Sequence, residues 1–154
     1  MTSNVEIRQA EREDVAAIAA MFAQDSLGGH GDSADPADLP DYLAAFQTIT
    51  ASQNDRLFVA VRDGDVVGTF QTTLITSLTG KGSSSLTVEA VHTRSDMRGH
   101  GIGKVMINHA IEHGRANGAR LVQLMSNANR HDAHRFYARL GFSQSHLGFK
   151  MKLR

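Results

Sequence analysis

The sequence predicts one mixed α/β domain spanning residues 1–154. Three observations lead there. Runs of alternating apolar residues are interleaved with stretches of helical periodicity. An Asp63-Gly64 pair joins two β-rich runs, the strongest short hairpin signal and one that excludes a purely parallel sheet. A strand, a glycine-rich turn and a helix start then follow in direct succession over residues 85–115.

Taken in order, Val5-Glu6-Ile7-Arg8 alternates as a strand, and Glu13 to Gln24 places Val15, Ile18, Ala19 and Phe22 on one helical stripe. The segment from Gly28 to Pro36 is glycine-rich and holds one of the two prolines. It reads as a long mobile loop before a second helix from Asp41 to Thr50. Leu57 to Val61, Val66 to Ser77 and Leu86 to His92 are three strand-like runs. Lys104 to Arg115 is helical, Leu121 to Met125 is a strand, and Asp132 to Leu140 is a helix stopped by Gly141. Phe142 to Leu153 reads as a terminal hairpin turning near His146–Gly148. The expected order is thus β, α, α, β, β, β, α, β, α, β, β.

Composition narrows the chemistry. The absence of cysteine excludes a disulfide framework, zinc–thiolate sites and a cysteine nucleophile. The longest uncharged apolar run, Val15 to Ala23, is far below the roughly 18 residues of a membrane span. Glu6 and Arg8 stand where a secretory signal needs apolar residues, so a cytoplasmic location without membrane contact is expected. The net charge is zero but polarised. Residues 13–55 carry eight acids and no Lys or Arg, and residues 94–154 carry eleven bases against three acids. A compensated surface of this kind argues against nucleic-acid binding. It suits an anionic ligand at one end and a cationic one at the other, although a solubilising acidic loop accounts equally well for the first block.

The most informative stretch runs from Val88 to Lys104 and contains Arg98-Gly99-His100-Gly101-Ile102-Gly103. Glycines admit a ligand close to the backbone, and the first N–H groups of a helix lack internal partners, so this is an anion site suited to phosphate. A P-loop needs a Gly-Lys-Ser/Thr ending that is absent, and the dinucleotide fingerprint needs one more residue before its last glycine. Arg98, Gly101 and Gly103 instead fit Arg-x-x-Gly-x-Gly, which resembles the coenzyme A pyrophosphate loop of the GNAT superfamily of N-acetyltransferases. Phe136-Tyr137-Ala138-Arg139-Leu140-Gly141-Phe142 resembles that superfamily's Phe-Tyr-x-x-Leu-Gly-Phe ending. The motif-bearing likeness covers residues 85–154.

The resemblance implies an acyl-CoA N-acyltransferase fold, a mostly antiparallel sheet of six to seven strands flanked by about four helices. It implies acetyl-CoA as co-substrate, no metal, and transfer of the acetyl group to a primary amine of a small molecule or peptide. Carried over position by position, Val91, His92 and Thr93 would hold the pantetheine arm, with a main-chain N–H near Val91 polarising the thioester carbonyl. Arg98, Gly99, His100, Gly101, Ile102, Gly103 and Lys104 would hold the pyrophosphate, and Asn129 and Phe136 would contact the coenzyme. Glu89, a carboxylate in a strand otherwise made of Val, Ala and Thr, is the candidate base, and Tyr137 the candidate acid. A solvated strand position for Glu89 and plain packing for Tyr137 are the alternatives. The acidic helices would draw a cationic acceptor, with Asp25, His30, Asp32 and Tyr42 as candidate contacts.

Two other readings compete. A non-catalytic acyl-CoA-binding sensor or interaction module would keep the loop without the chemistry. His109-Ala110-Ile111-Glu112-His113 matches a zinc-peptidase pattern. The buried stripe of Met106, Ile107, Ala110, Ile111 and Gly114 turns those polar residues outward, however, and no third ligand is in register. A homodimer through terminal strands is a further possibility.

Overall fold

The computed structural model of the protein describes residues 4–25, 27 and 29–154. Met1, Thr2, Ser3, Ser26 and Gly28 lie outside the described residues, the last being the first residue of the expected loop. Cα packing groups the chain into two compact units, Met1–Gln123 and Leu124–Arg154.

The first unit holds strand β1 (Val5–Gln9), helix α1 (Val15–Ala23), helix α2 (Leu39–Ala51), strands β2 (Asp55–Arg62) and β3 (Asp65–Thr76), a one-turn element α3 (Thr79–Gly82), strand β4 (Ser84–Thr93) and helix α4 (Ile102–Ala116). Strand β5 (Leu121–Leu124) follows at its end. The sheet order is β1-β2-β3-β4-β5, with β1 through β4 antiparallel in succession. Asp63 and Gly64 both take positive φ, 52° and 82°, as a two-residue hairpin turn requires. The Arg120 N–H donates to the Ser84 carbonyl at 2.9 Å, and the Gln123 amide donates to Thr87 Oγ1 at 3.1 Å. The sequence offset is the same at both, so β5 runs parallel to β4 and α4 is the crossover between them.

Both faces of the sheet are covered. Period-2 alternation sends Phe58 and Val59 of β2 to opposite sides. Val59 packs with Ile18 and Met21 of α1, whereas Phe58 stacks on Phe70 and meets α4. Ile102, Met106, Ile107 and Ala110 of α4 are buried on β3 and β4. The helix comes so close that a Cβ on Gly68 would sit 2.8 Å from Met106 Sδ. At the other end, Arg8 grips Asp14 through two hydrogen bonds of 2.7 and 3.0 Å, which ties β1 to the start of α1. That pairing holds the Asp14 carboxyl below the usual carboxylate range.

The second unit contains helix α5 (His131–Arg139), ended at Gly141 with φ 101°. The expected terminal hairpin is absent: residues 142–154 form no strand, and among the described residues the sheet has five strands rather than six or seven. Alternation of apolar side chains makes a strand only where there is an edge to bond. From Leu147 onward no backbone hydrogen bond is made among the described residues.

Candidate active site

The loop that reads as a phosphate cradle has the backbone such a cradle needs. Gly99 and Gly101 lie in the left-handed region, with φ 80° and 78°, where other residues are strained. A Cβ on Gly99 would meet nothing within 4 Å, so space lies open in front of the loop. Gly101 caps α4 and its carbonyl accepts from Val105 at 3.2 Å, leaving the N–H groups of Ile102, Gly103 and Lys104 without helical acceptors. No acid stands in that first turn, and the buried Ile102 side chain anchors it. Arg98, His100 and Lys104 are exposed. Arg94, by contrast, is held by Asp96 at 2.6 and 3.1 Å, a pairing that lowers the Asp96 carboxyl's pKa. The donors and the open approach fit a coenzyme pyrophosphate.

Just before the loop, β4 is distorted. Gln71 lies opposite Glu89 and Thr69 opposite His92, so Phe70 alone faces both Ala90 and Val91. This is a two-against-one bulge, with Ala90 at φ 51°. A strained non-glycine residue here persists because the flanking pairs fix it. Glu89 sits on the exposed side immediately before the bulge, and its carboxylate has no hydrogen bond or ion pair among the described residues. Thr93 regains the ladder opposite Gly68.

His92 turns to α1. Its ring lies edge-on to Phe22 at 4.9 Å, and its Nε2 is 4.0 Å from Asp25 Oδ2. Asp25, His30, Asp32 and His92, with Phe22 and Gly31, line a cavity of about 130 Å³. Three of the four candidate acceptor contacts therefore come together with a residue expected to hold the pantetheine arm. Tyr42, the fourth, does not line the cavity. Its hydroxyl donates to Asp32 Oδ1 at 2.7 Å and accepts from the Ser33 N–H at 3.1 Å, which fixes the carboxylate in place. Burial and the Asp32 bond raise the Tyr42 pKa, so this donor stays protonated. Phe22 is the residue sequence reasoning missed at this site. Helical periodicity assigned it to the core, and the signal for a second role was its place one turn before Asp25, where α1 ends.

Glu89 does not line this cavity. Tyr137 belongs to the second unit, where its ring packs edge-on against Phe136 at 5.1 Å and Phe142 at 5.9 Å. Burial raises its pKa and Arg130 partly offsets the rise, so its hydroxyl stays protonated through neutral pH. Asn129, also in the second unit, is exposed, and its N–H donates to Asn127 Oδ1 at 2.9 Å.

The histidines of α4 require a correction. Glu112 faces solvent and pairs with Arg115, but His109 and His113 are half-buried, with ring centroids 5.1 and 5.4 Å from that of Phe58. The helix is wide enough that its apolar face includes their rings. No group of three metal-ligating side chains occurs among the described residues. Burial lowers the pKa of both rings, helped at His113 by His109 and Arg56. The unfolded chain therefore binds more protons than the folded one below the ordinary histidine value near 6.5. Stability should be flat above it and fall as pH drops from about 7 to 5. Urea midpoints across that range should fall less in a His109→Leu/His113→Leu variant; an equal fall contradicts the assignment.

The sequence matches the acetyltransferase (GNAT) family over residues 14–142. Over 57 residues it is 47% identical to the aminoalkylphosphonate N-acetyltransferase of Salmonella typhimurium, an alignment covering 37% of each chain. Over 57 residues it is 39% identical to an uncharacterized N-acetyltransferase of Methanocaldococcus jannaschii, covering 37% of this chain and 25% of that protein. Both alignments thus span well under two thirds of those relatives. The crystal structure of a transcriptional regulator from Bacillus halodurans C-125 superposes with a TM-score of 0.93 at 38% identity, over 97% of this chain and 99% of that one. A Trypanosoma brucei acetyltransferase shares the fold, with a TM-score of 0.79 at 24% identity over 97% and 99% of the two chains. The chain belongs to the GNAT family of acetyltransferases.

Proposed function

We propose that the protein transfers the acetyl group of acetyl-CoA to a primary amine, and that the acceptor is cationic. The observation that carries the first half is the exposed, acid-free start of α4 behind two left-handed glycines, in a chain of this family. The second half rests on the cavity beside His92, with the carboxylates of Asp25 and Asp32 in its wall. The name of the Salmonella relative points to a small amine as the class of acceptor. Both compact units belong to one catalytic domain in this reading, because the family match runs from residue 14 to 142 across both.

Acetyl-CoA supplies an activated acyl carbon whose thiolate is the leaving group. The backbone N–H groups at the start of α4 hold its pyrophosphate, with Arg98, His100 and Lys104 adding charge. Val91, His92 and Thr93 would hold the pantetheine arm, a main-chain N–H near Val91 would polarise the thioester carbonyl, and Asn129 and Phe136 would contact the coenzyme. The amine must lose a proton to attack; Glu89 takes it. Tyr137 gives its proton to the departing sulfur.

Release of coenzyme A thiol with a panel of primary amines tests the reading. Polycationic amines should react with a KM that rises several-fold between about 0.05 and 0.5 M salt, because screening weakens attraction to the acidic face. A salt-independent KM removes the cationic-acceptor half. The Bacillus halodurans relative's description as a transcriptional regulator favours a second reading, an acyl-CoA-binding sensor. Such a protein would bind the coenzyme and release no thiol with any amine.

A further inference from the structure

We infer that the acceptor is a diamine that lies along β4, with one nitrogen retained as a cation in the cavity beside His92 and the other reacting at Glu89. The inference rests on the acetyl-transfer reading above and names the substrate class for that site. Its basis is the bulge. Glu89 and His92 are three positions apart in the sequence, and in a regular strand an odd offset sends side chains to opposite faces. Here Glu89 stands opposite Gln71 and His92 opposite Thr69, so the extra residue in β4 returns both to one face. Thr69 also pairs with Val59, which packs on α1, so the shared face is the one that α1 covers. Thr69 and Gln71 are separated by two strand residues, a rise of roughly 7 Å. The candidate base and one wall of the cavity therefore stand on one face at about that spacing.

The two places suit different protonation states. Asp25 and Asp32 line the cavity, and the Asp25 side chain is only 10% exposed. A carboxylate so far from water is costly to keep charged, and a cation beside it offsets that cost. Asp32 is set by Tyr42. Because the Tyr42 hydroxyl accepts from the Ser33 N–H, its one proton goes to Asp32 Oδ1. Tyr42 is thus a positioning residue for this carboxylate.

An ammonium between two carboxylates keeps its proton and cannot attack. Glu89 lies outside the cavity wall, and there a nitrogen can give up its proton. One held cation and one reacting amine require two nitrogens in one molecule. The cavity, at about 130 Å³, has the volume of roughly four waters at ~30 Å³ each, which suits the end of an aminoalkyl chain. At Glu89 the C–N bond forms as the thioester C–S bond breaks. The proton shed by the new amide balances the one taken by the departing sulfur, and the cavity nitrogen stays protonated throughout.

Thiol release with 1,4-diaminobutane, butylamine and 4-aminobutanoate tests the inference, since these amines differ only in ending with a cation, a methyl group or an anion. The diamine should exceed butylamine by about 10- to 100-fold in kcat/KM, the worth of one charge-assisted hydrogen bond, with 4-aminobutanoate poorest. Asp32→Asn should cut that preference about 10-fold, through the diamine's KM. Tyr42→Phe should raise the same KM several-fold with kcat and the acetyl-CoA KM far less affected, whereas a merely structural role would move all three. Equal kcat/KM for the diamine and butylamine overturns the inference, and so does a preference that survives Asp32→Asn. If that variant fails to fold, the wild type decides with 1,2-diaminoethane, 1,4-diaminobutane and 1,8-diaminooctane. The rate should peak at the middle length, and indifference to length overturns the inference. If no amine releases thiol, the acetyl-transfer reading fails, and calorimetry with 1,4-diaminobutane judges the cavity by itself. Binding that is lost in Asp32→Asn upholds the cation site; no binding, or equal binding in the variant, overturns it.

Discussion

Replacing Gly101 with valine should remove most of the rise in melting temperature that acetyl-CoA produces. Gly101 caps α4 at φ 78° and ψ 10°, a region that costs an ordinary residue about 1–2 kcal/mol and a β-branched one more. The backbone must either strain or rotate away. Rotation moves the N–H groups of Ile102 and Gly103 off the direction in which a pyrophosphate would meet them. Two charge-assisted hydrogen bonds lost or bent, at about 1.5–3 kcal/mol each, weaken coenzyme binding by roughly 100-fold or more. The strain alone should lower the melting temperature of the free protein by only a few degrees, about 2–4 °C per kcal/mol at this size. Comparing the melting temperature of the variant with and without acetyl-CoA separates the two effects. A variant that keeps the full ligand-induced rise would place the coenzyme elsewhere.

Tyr137→Phe should lower kcat by about 100- to 1,000-fold, the usual contribution of a positioned acid, with the KM for acetyl-CoA changed by less than a few-fold. The substitution deletes one hydroxyl and keeps the ring that packs against Phe136 and Phe142, so stability should hardly move. Burial raises the Tyr137 pKa, which keeps the proton in place over the working range. The wild-type rate should therefore lose this contribution only above the ordinary tyrosine value near 10, and the variant should lack that alkaline fall. Steady-state rates of thiol release against pH give both numbers. An unchanged kcat would reduce Tyr137 to a packing residue.

Local signals were legible where the backbone alone sets the outcome. Asp63-Gly64 specified its hairpin because both positions need positive φ. The loop from Arg98 to Lys104 was readable because glycine spacing and a helix start are written in consecutive residues. Asp25, His30 and Asp32 were found only as members of an acidic block; their meeting with His92 depends on how α1 packs on the sheet, which no spacing records. The bulge at Ala90 was invisible for the same reason, since alanine carries no signal for a φ of 51°. His109 and His113 were misplaced because helical periodicity counts histidine as polar, whereas the ring lies readily against an aromatic face such as that of Phe58. The terminal segment was misread in the opposite sense: its alternation is genuine, but strand formation depends on a partner edge that the pattern does not specify.

The most direct test of coenzyme binding at the start of α4 is the melting temperature of the wild-type protein with and without saturating acetyl-CoA, with NAD and zinc as controls. At about 100 times its Kd the ligand adds roughly 2.7 kcal/mol, which at this size should raise the melting temperature by about 5–11 °C. The account predicts that rise with acetyl-CoA and none with NAD or zinc. No rise in folded protein free of copurified coenzyme would contradict it.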